Sequence, residues 1–159
     1  LFVKSVEIIA RELPVVVLLT GPARGYVKSE LYKRKIKFIH IFVNSYKEIA
    51  SFYNALDLYI VSSREEGGPK AIVESMASGV PIVSTNVGMA KDFIVDGHNG
   101  GLVENFDPEE IAKKSLEILS KQDKDIMVNA ARKDVMRADW NNIAKMYWDK
   151  VYKRGIKNV

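Results

Sequence analysis

Leu56-Asp57-Leu58-Tyr59-Ile60-Val61-Ser62-Ser63-Arg64-Glu65-Glu66-Gly67-Gly68-Pro69-Lys70-Ala71-Ile72-Val73-Glu74-Ser75-Met76-Ala77-Ser78-Gly79-Val80-Pro81 is the stretch whose reading decides the fold. The apolar run at 56–61 predicts a buried strand, and a second run begins at Val80. Between them a glycine turn opens a short helix over residues 70–78, closed by Gly79 with Pro81 just beyond. A strand, a glycine turn and a helix N-terminus together form an anion-binding device. The turn brings backbone close to a ligand, and the free amides and helix dipole favour a phosphate. Two carboxylates flank the device, Glu66 in the turn and Glu74 in the helix.

Outward from this centre, strands and helices alternate. Residues 2–13 carry apolar side chains at helical spacing and stop at Pro14. The apolar run at 15–19 predicts a strand buried on both faces, which belongs in a parallel sheet. The turn at 20–25 lacks the Lys-Ser/Thr pair of a phosphate-binding P-loop, so Arg24 is read as a loop charge. A helix with a basic face follows at 26–34 and a strand at 37–43, with His40 structural. Ser45 caps a helix over 46–56 whose apolar face leads into the central strand at 57–61. Beyond the central helix come a strand at 81–84, a short helix around 91–95, a turn at 96–100 with His98 at its tip, and a strand at 102–103. Asp107-Pro108-Glu109-Glu110 reads as cap, first-turn proline and capping-box glutamate of a helix reaching Ser120. Asp123 and Asp125 have an Asp-x-Asp spacing but open the next helix, where acidic residues suit the dipole. The last helix, 140–152, has Trp140, Ala144, Tyr147, Trp148 and Val151 on one stripe, read as core packing. Four or more strand–helix alternations predict an α/β, Rossmann-like doubly wound parallel sheet followed by C-terminal helices. Ligands of such sheets gather outside the carboxyl ends of the strands, where the 62–69 turn belongs.

The run from Glu66 to Pro81 resembles the Glu-x7-Glu signature of the family-four (group 1) retaining glycosyltransferases. Ala55 to Ser63, Gly88 and the Val95–Val103 run resemble the flanking strand and loops of that family. Ser75 stands where Ala is usual, and Gly68-Pro69 replaces the commoner Phe-Gly. The resemblance implies a GT-B enzyme of two facing Rossmann-like domains, with the nucleotide-sugar donor held mainly by the C-terminal one. It makes this chain that donor-binding domain, a single unit over 1–159, with the acceptor domain and the family's first strand expected before Leu1. That first strand is central in the family order 3-2-1-4-5-6. Five strands are therefore expected here, with the 15–19 strand either pairing directly with the 57–61 strand or separated from it by another segment.

Transfer of a sugar from a nucleoside diphosphate builds positive charge on the ring and negative charge on the departing phosphate. The amides of Gly67, Gly68, Lys70 and Ala71, with the Lys70 ammonium, would meet the phosphate, and Pro69 lies within the same turn. The resemblance assigns Glu74 to the nucleotide ribose and Glu66 to the donor sugar beside the reacting carbon. No metal or other cofactor is expected. The implied partners are a UDP- or GDP-linked sugar and the chain's own N-terminal domain, and a lipid acceptor would add the membrane surface. A nucleotide-sugar-binding regulatory module and a GT-B-like nucleotide-sugar epimerase are the alternatives.

Composition bounds these readings. The chain of 159 residues is long enough for one domain with its own core. No apolar run reaches the roughly 18 residues that span a bilayer, and no basic-then-apolar leader opens the sequence, so a cytoplasmic, at most membrane-associated, site is expected. The absence of cysteine excludes disulfides and thiolate metal sites. The net charge of +4 is too modest to imply nucleic acid as a partner.

Overall fold

A computed structural model describes residues 1–68 and 70–153. Pro69 and the basic tail at 154–159 lie outside the described residues. Five strands are present: β1 (Val16–Thr20), β2 (Lys37–Ile41), β3 (Tyr59–Val61), β4 (Ile82–Thr85) and β5 (Gly101–Val103). Eight α-helices accompany them among the described residues, in the order α1 (Phe2–Glu12), α2 (Gly25–Lys33), α3 (Tyr46–Asn54), α4 (Lys70–Ser78), α5 (Ala90–Phe93), α6 (Pro108–Ser120), α7 (Lys124–Val135) and α8 (Trp140–Tyr147).

All strand pairs are parallel. β1 pairs with β2 in the register Val16 to Lys37, and β4 lies between β3 and β5 with Val83 facing Ile60 on one side and Gly101 on the other. Every residue of β4 is buried, and the pleat sends alternate side chains to opposite faces. Ile82 joins Val61, Ile72, Met76 and Ile94 beneath α4 and α7, while Val83 joins Val103, Ile111, Ile118 and Met127 beneath α6. Two-sided burial of this kind is what a doubly wound parallel sheet demands of its strands.

Helix ends follow from sequence. Asp107 accepts from the Glu109 amide at the start of α6, with Pro108 in its first turn. Ser45 accepts from the Glu48 amide at α3, and Glu48 reaches back to the Asn44 amide. At the end of α4, Gly79 adopts φ +75°. That left-handed step lets the Val80 amide return to the Ser75 carbonyl at 3.0 Å. Ser75, in the place where Ala was usual, is fully buried and donates to the Val80 carbonyl, so its hydroxyl reinforces the same closure.

The sheet is split. Neither expected arrangement of the 15–19 strand occurs among the described residues: β1 does not pair with β3, and no segment fills the space between them. Instead a cleft of about 870 Å³ separates the two edges, walled by β1 and β3 and flanked by Phe2, Val6 and Ile9 of α1 and by Phe52 near the end of α3. Packing of α1 on α6 ties the two parts of the sheet together. The cluster Val3, Val6, Val17, Leu19, Leu31 and Ile36 forms a separate core for the β1–β2 part.

The aromatic stripe of the last helix needs correction. Trp140 is 83% exposed, and Tyr147, Trp148 and Val151 are all more than half exposed, so among the described residues the stripe packs into no core. Helical spacing shows that a face is apolar; it does not show what covers it. His40 is structural as expected, with Nε2 2.8 Å from the Gly21 carbonyl, and His98 is 60% exposed at its turn, 3.7 Å from Asp134. No described helix is long and apolar enough to cross a membrane.

Candidate functional site

The cleft between β1 and β3 changes character along its length. Its flanks are apolar, but at the carboxyl ends of the strands its wall is Thr20, Arg24, Ser62, Ser63, Glu66, Lys70 and Ala71. The fold thus brings Ser62, Ser63 and Glu66 of the turn to one mouth with Lys70 and Ala71 of α4, whereas Gly67, Gly68 and Glu74 are not among its lining residues. Carboxylate, ammonium and free helix amides meet there at the strand ends, where the opened chain reversals of a parallel sheet leave a crevice.

Glu66 is held from below. Ser63 Oγ donates to its Oε1 at 2.6 Å. The Ser63 carbonyl in turn accepts from Thr85 Oγ1 at 2.7 Å, and Thr85 is fully buried at the end of β4. A hydroxyl on one strand therefore anchors the loop leaving its neighbour, and that loop orients the carboxylate. Ser63 and Thr85 were not legible as site residues: short hydroxyl side chains at strand ends are common, and only pairing of β3 with β4 puts these two in contact.

Glu74 lies on α4, three residues beyond Ala71 and so on the same side of the helix. It is half-buried, and its Oε2 accepts from the Tyr53 hydroxyl at 3.1 Å. Burial first, and then the neighbouring Tyr59 and the Glu74 charge, push the Tyr53 hydroxyl far above its ordinary range. It is a donor at any working pH.

The glycines divide into two kinds. Gly88, in the loop between β4 and α5, has φ +50°, and a Cβ there would overlap the Glu66 carbonyl and sit 2.8 Å from the Gly67 carbonyl oxygen. The loop packs directly on the turn, so this position requires glycine for both conformation and space. Gly67 and Gly68 are different. Neither has positive φ; among the described residues a Cβ on Gly67 meets nothing within 4 Å, and one on Gly68 meets Met89 Sδ at 3.8 Å. Packing among the described residues demands glycine at neither position. Asp123 and Asp125 lie at the start of α7 and are not part of the mouth.

The family profile described as glycosyl transferases group 1 matches residues 2–134. The chain belongs to this family. The matched region of this group 1 glycosyltransferase chain spans all five strands and every site residue, and leaves α8 outside. An uncharacterized glycosyltransferase of Methanocaldococcus jannaschii is 33% identical over 108 residues, covering 66% of this chain and 31% of that protein. The C-terminal domain of a group 1 family glycosyl transferase from Francisella tularensis superposes with a TM-score of 0.72 at 24% identity, over 87% of this chain and 77% of that one. Anabaena HepE in complex with UDP and glucose gives a TM-score of 0.72 at 20% identity, over 86% of this chain and 40% of that one. These two structures show the fold: the chain has the architecture of a C-terminal GT-B domain. The first three curated relatives are longer, and the chain spans 31%, 24% and 40% of their lengths.

Proposed function

We propose that the chain is the donor-binding half of a retaining glycosyltransferase, holding a nucleoside-diphosphate sugar at the mouth between β1 and β3. The observation that carries this reading is the convergence of Glu66, Lys70 and Ala71 on one cleft wall, with Glu74 one turn further along α4. The first amides of α4 and the Lys70 ammonium meet the diphosphate and offset part of its charge. The open space beside Gly67 supports the same reading, because it leaves room for a ligand to approach the turn backbone closely. Glu74 accepts from ribose hydroxyls, and Glu66 faces the sugar. In the transfer, the bond from the anomeric carbon to the diphosphate oxygen breaks and a bond from an acceptor hydroxyl oxygen forms on the same face. The nucleoside diphosphate leaves, and the acceptor proton passes to it or to solvent.

UDP is the first nucleotide to test, because a structural neighbour is complexed with UDP and glucose; GDP-linked sugars are the second. The acceptor domain, and a strand to occupy the space between β1 and β3, are assigned to residues preceding Leu1 in a longer protein. Family membership favours transfer over the regulatory-module and epimerase readings. A thermal-shift panel of uridine, guanosine and adenosine diphosphate sugars on the chain tests the proposal. With half of the two-domain site present, a Kd of about 0.1–1 mM is expected, roughly 4–5.5 kcal/mol. Glu74→Gln should remove about 1.5–3 kcal/mol of it. No shift with any of the three nucleotides, or unchanged affinity in Glu74→Gln, would overturn the assignment.

A further inference from the structure

Tyr53 lies on α3, on an element that carries no residue of the donor motif, and is only 5% exposed. A tyrosine so buried must find a partner for its hydroxyl, and the partner here is the Glu74 carboxylate, 3.1 Å away. The ring is clamped on two sides. Phe52 meets it edge-on at 6.3 Å between centroids, and Tyr59 does so at 5.3 Å. Tyr59 itself forms part of the cleft wall. The donor is thus rigid, while the acceptor is a glutamate with three rotatable bonds on a half-buried helix face.

We infer that Tyr53 is a positioning residue for Glu74: its hydroxyl holds Oε2 in one place and leaves Oε1 to accept from a ribose hydroxyl. This rests on the donor-site reading of Glu74 given above. A glutamate free to rotate would lose side-chain entropy on meeting its ligand; one already held loses less, and binding is correspondingly tighter. Tyr53 hydrogen-bonds Glu74 and does not line the cleft, so its effect on the nucleotide is expected to pass through that carboxylate.

Tyr53→Phe keeps the ring and both edge contacts and removes only the hydroxyl. Two readouts separate positioning from packing. The first is the rotamer state of the Glu74 side chain, read from its three-bond NMR couplings and assigned with Glu74→Gln. Loss of the Tyr53 hydroxyl should move those couplings from single-rotamer to averaged values. The second is a double-mutant cycle on UDP affinity: Tyr53→Phe should weaken binding about 3–10-fold in the unsubstituted chain and by less than about 1.5-fold in Glu74→Gln. Glu74 couplings unchanged by Tyr53→Phe, or equal affinity losses in both backgrounds, would overturn the inference. Failure of the donor-site reading would show separately, as an absence of UDP binding by the unsubstituted chain, while the Glu74 couplings still decide whether Tyr53 holds the carboxylate.

Discussion

Gly88→Ala is the perturbation that tests most directly how the site is built. Two costs are expected. Alanine in the left-handed region costs about 1–2 kcal/mol. The new methyl would overlap the Glu66 carbonyl and lie 2.8 Å and 3.0 Å from the oxygen and carbon of the Gly67 carbonyl. Relieving such crowding costs roughly 1–3 kcal/mol more. Gly97→Ala is the control, because φ is +76° there but nothing lies within 4 Å of an added Cβ. It incurs the conformational cost alone. Both glycines lie between β4 and β5, and for the transition of the part that carries these strands each kcal/mol lowers the melting temperature by about 2–4 °C. Gly97→Ala should therefore lose about 2–8 °C, and Gly88→Ala about 2–12 °C beyond that. Scanning calorimetry of the two variants gives the comparison, and UDP titration should show a loss of affinity in Gly88→Ala, since the displaced backbone belongs to the turn proposed above to meet the diphosphate. A Gly88→Ala chain that melts at or above Gly97→Ala would refute the close approach of the two loops.

Other outcomes follow from the same contacts. In the longer enzyme proposed above, Glu66→Gln should lower turnover by about 100-fold or more, some 2.7 kcal/mol, while free nucleoside diphosphate binds within about threefold; Glu65→Gln should be nearly silent, and the reverse order in a steady-state assay would place the motif one residue away. Thr85→Val keeps shape but strands the Ser63 carbonyl, costing about 1–3 kcal/mol by denaturant unfolding, and unchanged stability would argue against that anchor. Ser63→Ala, which removes the donor to Glu66, should reduce turnover about 10-fold with little change in melting temperature. Ile72→Ala, at a fully buried position of α4, should cost about 2–5 kcal/mol in the same unfolding assay.

Much of this was legible in the sequence because it was local. Residues 70–78 form α4 with the boundaries expected, since Gly79 and Pro81 mark its end by conformation alone. The Asp107 cap and the alternation of strands and helices were readable for the same reason. Strand lengths were less so: the 37–43 run pairs only as far as Ile41, and the 57–61 run pairs only from Tyr59, because pairing depends on the neighbour as well as on apolar content. The supports of the site were not readable. Thr85 reaches Ser63 from 22 residues away, and Tyr53 reaches Glu74 from 21, and neither distance leaves a periodic trace. The exposed face of α8 was misread because amphipathic spacing is the same whether a face meets the molecule's own core or nothing.

The split sheet has a thermodynamic consequence. Among the described residues, hydrogen-bonded ladders join β1 to β2, β3 to β4 and β4 to β5, but no ladder joins the two sets, and their buried clusters are distinct. Cooperativity between the sets then depends on α1 against α6, a helix contact without a ladder behind it. Such a chain unfolds in parts: the β1–β2 set should exchange its amides and melt before the set that carries α4, giving two calorimetric transitions where a continuous sheet gives one. A strand seated between β1 and β3 would merge the two transitions, so the number of heat-absorption peaks counts the pieces of the sheet.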